Sequence, residues 1–366
     1  MLHADLIARV LPILGFLVCV TVIAELSDRI GVFGYLAHHA ARMARGSVLL
    51  LWLLVVVLAT LATAVLSLDT TAVLLTPVVL ALAHRLGLNE RMFAFTTVWL
   101  ANTASLFLPV SNLTNLLALH PLEEMGVRPD AFGFLALTWP AAVASLLVTV
   151  LLLALVFRRS LHGRYVLAPV PEVRHRRLLV IGIVVCAALG PALLAGVEVL
   201  VAAAIGAAVL LLAALLVDRS LIDHRLLPWK LVLGVFVLFV IIQVALDLGL
   251  GRLLAELGGQ GEGWLALLRV AGLGALASNL ANNLPSYLAL EVVADTPVRM
   301  VALLVGVNAG PLITPWASLA TLLWAGRCRS AGVAVDWRRF ALLGVVLVVP
   351  LILLATGATW LVDVRD

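Results

Sequence analysis

Two polar stretches lie inside otherwise apolar segments and repeat at a fixed offset, which narrows the possible folds more than any other feature of the chain. The first reads Asn102-Thr-Ala-Ser-Leu-Phe-Leu-Pro109-Val-Ser111-Asn112-Leu-Thr114-Asn115-Leu-Leu. The second, 206 positions later, reads Asn308-Ala-Gly-Pro311-Leu-Ile-Thr314-Pro315-Trp-Ala-Ser318-Leu-Ala-Thr321-Leu-Leu. Asn, Pro and the closing Leu-Leu stay in register without a gap. Each stretch is preceded by another polar interruption, Ser67-Leu-Asp69-Thr-Thr71 before the first and Ser278-Asn-Leu-Ala-Asn282-Asn283-Leu-Pro285 before the second. Two pairs of broken apolar segments, in the same order in both halves, point to the binding site of a secondary transporter.

The background against which these breaks stand out is 64% hydrophobic and only 12% charged, where a soluble domain has about 45–50% and about 25%. Repeated apolar runs of about 18 residues or more make this an all-α polytopic membrane protein with the lipid bilayer as its partner. The net charge of +4 does not signal nucleic acid, because the arginines fall in short loops, where they set topology. The three cysteines and eight histidines form no disulfide framework or metal motif. A His-Glu zinc helix, a Gly-x-Ser-x-Gly elbow and a facing Asp pair are all missing, so an enzyme is not expected. No cofactor is expected either.

The spacing predicts about 8 crossings plus two hairpins. A first crossing near 10–25 lacks the basic leader and cleavage site of a signal peptide. An interfacial helix within 31–45 follows, then a hairpin over 48–83, a broken helix over 96–119 and a crossing at 133–157. After the basic loop 158–177 come two crossings within 178–217, turning near Gly190-Pro191 or Gly196, and one at 231–249. A second hairpin over 264–290, a broken helix over 300–324 and a last crossing at 340–362 complete the chain. With the Arg-rich loops (26–47, 84–91, 158–177, 218–230, 325–339) in the cytoplasm, residues 1–157 and 178–366 become repeats of inverted topology. The same parity holds whether the first hairpin is re-entrant or fully spanning.

A membrane helix can break only where protein or a water-filled cavity satisfies its backbone. Pro109, Pro285, Pro311 and Pro315 remove donors, and the neighbouring amides and hydroxyls can satisfy the freed groups or turn to a solute. Asn102, Ser111, Asn112, Thr114, Asn115, Asn282, Asn283, Asn308, Thr314, Ser318 and Thr321 are the candidate substrate contacts. Each taken alone is more often an interhelical hydrogen bond. Asp69 is the candidate for proton or ion coupling, since an intramembrane acid needs a partner or a function. The structural alternative makes it the N-cap of the following helix at Thr70. Neither broken segment contains Arg or Lys, which favours a neutral or lightly charged hydroxylated solute or a small cation.

These residues resemble the arsenite permease branch of the ion-transporter superfamily, which also contains sodium–proton antiporters and citrate or dicarboxylate carriers. The resemblance lies in Ser67-Leu68-Asp69 with Leu75-Thr76-Pro77, in Asn102 to Asn115, in Ser278 to Pro285 and, most specifically, in Gly310 to Trp324. It implies a secondary transporter of the cell inner membrane that exports arsenite or antimonite as the neutral trihydroxide, with H+ (or Na+) as the coupling ion. A homodimer and a partner ATPase are also implied. The alternatives are a sodium–proton antiporter, an organic-anion (citrate or dicarboxylate) carrier and, from a different class, a non-transporting degenerate homologue. Leu68 stands where the family has Asn and Ala317 where it has Gly. The first half has no counterpart of the two crossings at 178–217, as though a pair of spans preceded it.

Overall fold

A computed structural model of the chain describes residues 2–167, 174–223 and 226–364, all of whose regular elements are helical. Arg225, one of the basic residues of the 218–230 loop, lies outside the described residues. Helix α1 (Leu2–Ile30) ends where Gly31 takes φ 91°, and α2 (Val32–Met43) follows at once. That helix buries Val32, Phe33, Ala37, Ala40 and Ala41 along one face, the pattern of a helix lying on an apolar surface.

The first hairpin begins at α3 (Val48–Leu66), whose N-cap Ser47 accepts a hydrogen bond from the Leu50 N–H. It returns through α4 (Leu68–Thr70), a π turn (Thr71–Leu75) and α5 (Thr76–Arg85). The first broken helix comprises α6 (Glu90–Thr103), a short 3-10 turn (Pro109–Ser111) and α7 (Leu113–Glu124). Trp52 Nε1 donates to Thr96 Oγ1 at 2.9 Å and Thr76 Oγ1 to Thr97 Oγ1 at 2.9 Å, so both arms of the hairpin are fastened to α6. Asp130 then caps α8 (Ala131–Val156) through the Gly133 N–H at 2.8 Å.

The second half opens with α9 (Arg176–Leu194) and α10 (Val199–Val217), which turn at Gly196 with φ 88°; of the two expected turn positions, Gly190-Pro191 is helical. After α11 (Trp229–Ala245) and α12 (Gly251–Gly258) comes the second hairpin, α13 (Trp264–Leu280) and α14 (Asn283–Leu290). The second broken helix is α15 (Pro297–Leu304), continued by a π turn (Val305–Ala309), and α16 (Leu319–Ser330); α17 (Trp337–Asp363) closes the chain.

Among the described residues seven helices are long and apolar enough to cross a membrane. Two of them are the arms of the first hairpin. The other five, α1, α8, α9, α10 and α17, join α11 and the two broken helices to make eight crossings.

Contacts between the halves show their inversion. Trp324 Nε1, on α16, donates to the Ala94 carbonyl of α6 at 2.9 Å. Around this bond Phe95 packs against Phe157, Trp324 and Phe340 at centroid distances of 5.9, 6.2 and 6.0 Å. One end of the molecule therefore gathers the beginnings of α6 and α17 with the end of α8 and the latter part of α16. At the opposite end α15 packs on α7 and α8. Each broken helix runs antiparallel to its counterpart, and so do α8 and α17.

The second break sits in tight surroundings. A Cβ at Gly306 would collide with the backbone of Ala271, and one at Gly344 with the Leu312 carbonyl. Glycine at these two positions lets α13 and α17 close around the irregular segment between α15 and α16.

Candidate functional site

The first break has its polar groups locked by the second. Asn112 Nδ2 and Thr114 Oγ1 both donate to Asn308 Oδ1, at 2.9 and 2.6 Å, while Asn308 Nδ2 donates to Asn115 Oδ1 at 2.6 Å. Asn115 in turn donates to the Ser105 and Leu108 carbonyls at 2.6 and 3.1 Å, on the segment that joins α6 to the 3-10 turn. Ser111 Oγ donates to the Ala64 carbonyl at 2.9 Å, where α3 nears the hairpin tip. All of these side chains are buried.

The second break is held by a residue the sequence argument passed over. Asn279, on α13, accepts from the Ile313 and Thr314 N–H groups at 3.1 and 3.0 Å and donates to the Ala275 and Gly310 carbonyls at 2.8 and 2.9 Å. Its own carbonyl accepts from Thr314 Oγ1 at 2.8 Å and Trp316 Nε1 at 2.9 Å. The only signal was its place within the Ser278–Asn283 tip.

Asn102 and Asn308 are register mates with different surroundings. Asn102 Nδ2 reaches only the Val98 carbonyl of its own helix, at 2.9 Å. Asn102 Oδ1 is buried without a partner, as are Ser318 Oγ and Thr321 Oγ1. The mates of Asn112, Thr114 and Asn115 are Ser318, Ala320 and Thr321, so the interrepeat lock is made on one side only.

Beside the lock lies a cavity of about 530 Å³. Its polar wall is built from helix beginnings. Ser67, Asn112 and Asn282 are N-caps whose side chains accept from the N–H groups of Thr70, Thr114 and Leu284, and Ser318 is the N-cap of α16. All four line the cavity. The first N–H groups of a helix carry partial positive charge and suit oxygen-rich ligands. The offset of 206 survives here, since Asn112 and Ser318 cap the second parts of the two broken helices. Phe16, Leu17 and Val20 of α1 and Val235 and Leu238 of α11 supply an apolar wall that the sequence did not announce.

Ser67 forms the hairpin tip at φ 122° and ψ 162°, a region that residues with a Cβ rarely occupy. Because Ser67 is the cap, Asp69 is not, and the structural alternative for that acid falls away. The Asp69 side chain lines the cavity and makes no hydrogen bond or ion pair with the described residues. Among the described residues no Arg or Lys lines the cavity. Arg269, in the second hairpin, turns instead to the Glu256 carbonyl at 3.3 Å.

Of the candidate contacts, Asn112, Asn282, Asn283 and Ser318 line the cavity together with Asp69. Asn102, Ser111, Thr114, Asn115, Asn308, Thr314 and Thr321 lie behind its wall, and Ser111, Thr114, Asn115, Asn308 and Thr314 are engaged in holding the breaks together. Pro109 opens the 3-10 turn, and Pro311 and Pro315 fall in the irregular segment of the second break. Pro285 breaks nothing. It stands in the first turn of α14, where its missing N–H has no helical partner to lose.

The family model described as citrate transporter matches residues 8–298. The chain belongs to the citrate transporter family. An arsenical pump membrane protein of Escherichia coli is 29% identical over 373 residues, covering 93% of this chain and 84% of that protein. A protein of the same name from Yersinia enterocolitica is 27% identical over 93% of this chain and 84% of its own length. An uncharacterized transporter of Mycobacterium tuberculosis is 27% identical over 95% and 85%. Among solved structures, the Alcanivorax borkumensis YdaH transporter superposes with a TM-score of 0.61 at 16% identity, covering 98% of this chain and 87% of that one; the likeness is one of fold. This family member is a multi-pass membrane transporter.

Proposed function

We propose that the chain exports a small neutral hydroxylated solute, arsenite or antimonite as the trihydroxide, across the inner membrane in exchange for protons. The observation that carries this reading is the composition of the cavity wall. Four N-caps offer N–H groups and side-chain oxygens, and Asp69 is the one ionisable side chain among the described residues that line the cavity. A multiply charged anion would meet a carboxylate there and no side-chain cation, whereas a neutral trihydroxide gains hydrogen bonds without a charge to balance. An unbonded carboxyl in the same cavity is placed to take a proton when the solute leaves. The names of the relatives support the same substrate class.

The substrate contacts of this reading are Asn112, Asn282, Asn283 and Ser318 directly, with Asn102, Ser111, Thr114, Asn115, Asn308, Thr314 and Thr321 shaping the breaks that present them. A homodimer and a partner ATPase rest on the resemblance alone. The family description favours one other reading, an organic-anion carrier whose carboxylates sit on the four helix beginnings.

Resistance of an arsenite-sensitive bacterial host, with growth on citrate run in parallel, tests both. Arsenite resistance with the parent, lost with Asp69→Asn, is expected. Growth on citrate without resistance would move the assignment to the carrier. Equal resistance with parent and Asp69→Asn would remove Asp69 from coupling.

A further inference from the structure

Asp69 stands between two cavities. Besides the large one it lines a second of about 140 Å³, and the two share Leu17, Val20, Ser67, Asp69, Leu319 and Leu323 as walls. The smaller cavity is lined further along by Thr70, Thr21 and finally Glu25 of α1. It has room for about four waters at roughly 30 Å³ each, and Ser67, Thr70 and Thr21 line it. The Thr21 and Thr70 hydroxyls donate to the Leu17 and Leu66 carbonyls at 2.7 and 3.2 Å, which leaves their oxygens to accept from such waters. The Glu25 side chain is 29% exposed, which brings this end of the cavity to the molecular surface.

The surroundings of Glu25 fix which side of the membrane this is. Arg29, one turn on, lies 3.9 Å from the Glu25 carboxylate and donates to the Leu221 carbonyl at 2.8 Å and to Asp223 Oδ1 at 3.1 Å. Leu221 and Asp223 belong to the 218–230 loop, which the arginine distribution assigns to the cytoplasm. Among the described residues, Asp28 on α1 itself and Arg327 of α16, close enough to act on Asp28, are charged groups near this end. Of the helices packed along α1, α10 carries no charge, α9 has Arg176 and Arg177 in its first turn, and α2 has His38, His39 and Arg42.

We propose that Glu25 and the small cavity form the proton route between Asp69 and the cytoplasm, separate from the path taken by the solute. Glu25 Oε accepts or gives up a proton at the cytoplasmic mouth, water in the small cavity carries it, and the Asp69 carboxyl is its other terminus. The proton is conserved along the route, with each group restored after a passage. This inference rests on the proton-exchange reading above, and its test is built to fail separately from it.

The test uses everted membrane vesicles and arsenite itself. Counterflow at equal pH reports binding and crossing of the solute, while uptake driven by an imposed pH gradient adds proton transfer. For Glu25→Gln, counterflow is expected within about twofold of the parent and gradient-driven uptake is expected to fall about tenfold or more; Glu25→Asp restores most of it. Gradient-driven uptake at the parental rate in Glu25→Gln overturns the route. So does an equal loss of both activities, which would make Glu25 a structural residue. A parent that shows no arsenite counterflow overturns the transport reading, and the route with it.

Discussion

Asn308 Nδ2 donates to Asn115 Oδ1 over 2.6 Å, across 193 residues of chain. This contact joins the π turn that ends the first part of one broken helix to the start of the second part of the other. Asn308→Ala would leave Asn112, Thr114 and Asn115 each short of a buried partner, a loss of about 2 kcal/mol or more. Asn102→Ala removes one local bond and should cost under about 1 kcal/mol. Thermal unfolding of the purified protein in detergent measures both, and a larger loss for Asn102→Ala than for Asn308→Ala would contradict the one-sided lock.

Asn279 serves the second break through four contacts made by a single amide. Asn279→Leu should therefore destabilise by about 3 kcal/mol. Asn282→Ala, which gives up the Trp316 carbonyl at 2.8 Å and a cap, should lose about 1–2 kcal/mol. The same unfolding assay ranks them, and equal losses would show that Asn279 is not the organiser.

At the first tip, strain and capping act in opposite directions on Ser67. Glycine relieves the φ 122° conformation, worth about 1–3 kcal/mol, and gives up a side-chain cap worth about 1 kcal/mol. Ser67→Gly is accordingly expected to be at least as stable as the parent, and Ser67→Ala, which keeps the strain and loses the cap, less stable. An Ala variant more stable than the Gly variant would show that the backbone there is unstrained.

Asp130 gives a pH-dependent prediction outside the membrane. Its bond to the Gly133 N–H, followed by its contacts with Arg128, holds the carboxyl below the usual carboxylate range. Since the folded value is depressed, the contribution is present above the unfolded value and disappears as pH falls through the folded one. Asp130→Ala should cost about 1 kcal/mol at neutral pH. Asp130→Asn, which can still cap, should cost less, and the Ala penalty should shrink in acid. Unfolding curves at neutral and acidic pH show whether it does.

The crossings, both hairpins and both breaks were legible because lipid forces long apolar runs and makes every interruption conspicuous. The 206-residue offset pairs Asn112 with Ser318, and both prove to be N-caps, a role the sequence did not assign them. The division of labour among the polar residues was not legible. Thr114 and Ser318 look equally available as letters, yet one is spent on Asn308 and the other faces the cavity, a difference set by how two antiparallel helices rotate against each other. Asn279 escaped because its bonds go to backbone N–H and C=O groups, which leave no mark in a sequence. Leu17, Val20 and Glu25 escaped because nothing in α1 distinguishes its cavity-facing side from its lipid-facing one.

An inverted repeat can turn its opening from one side of the membrane to the other by letting each half take up the other's conformation. In this chain such an exchange is not neutral. The place that Thr114 fills opposite Asn308 is filled opposite Asn102 by Ala320, which has no hydroxyl to offer. An exchange of conformations between the halves would replace this set of hydrogen bonds with an unequal one, and a difference of that kind biases such an equilibrium before any ligand binds. The half that carries the asparagines at the start of its second helical segment is the half whose side chains make the lock.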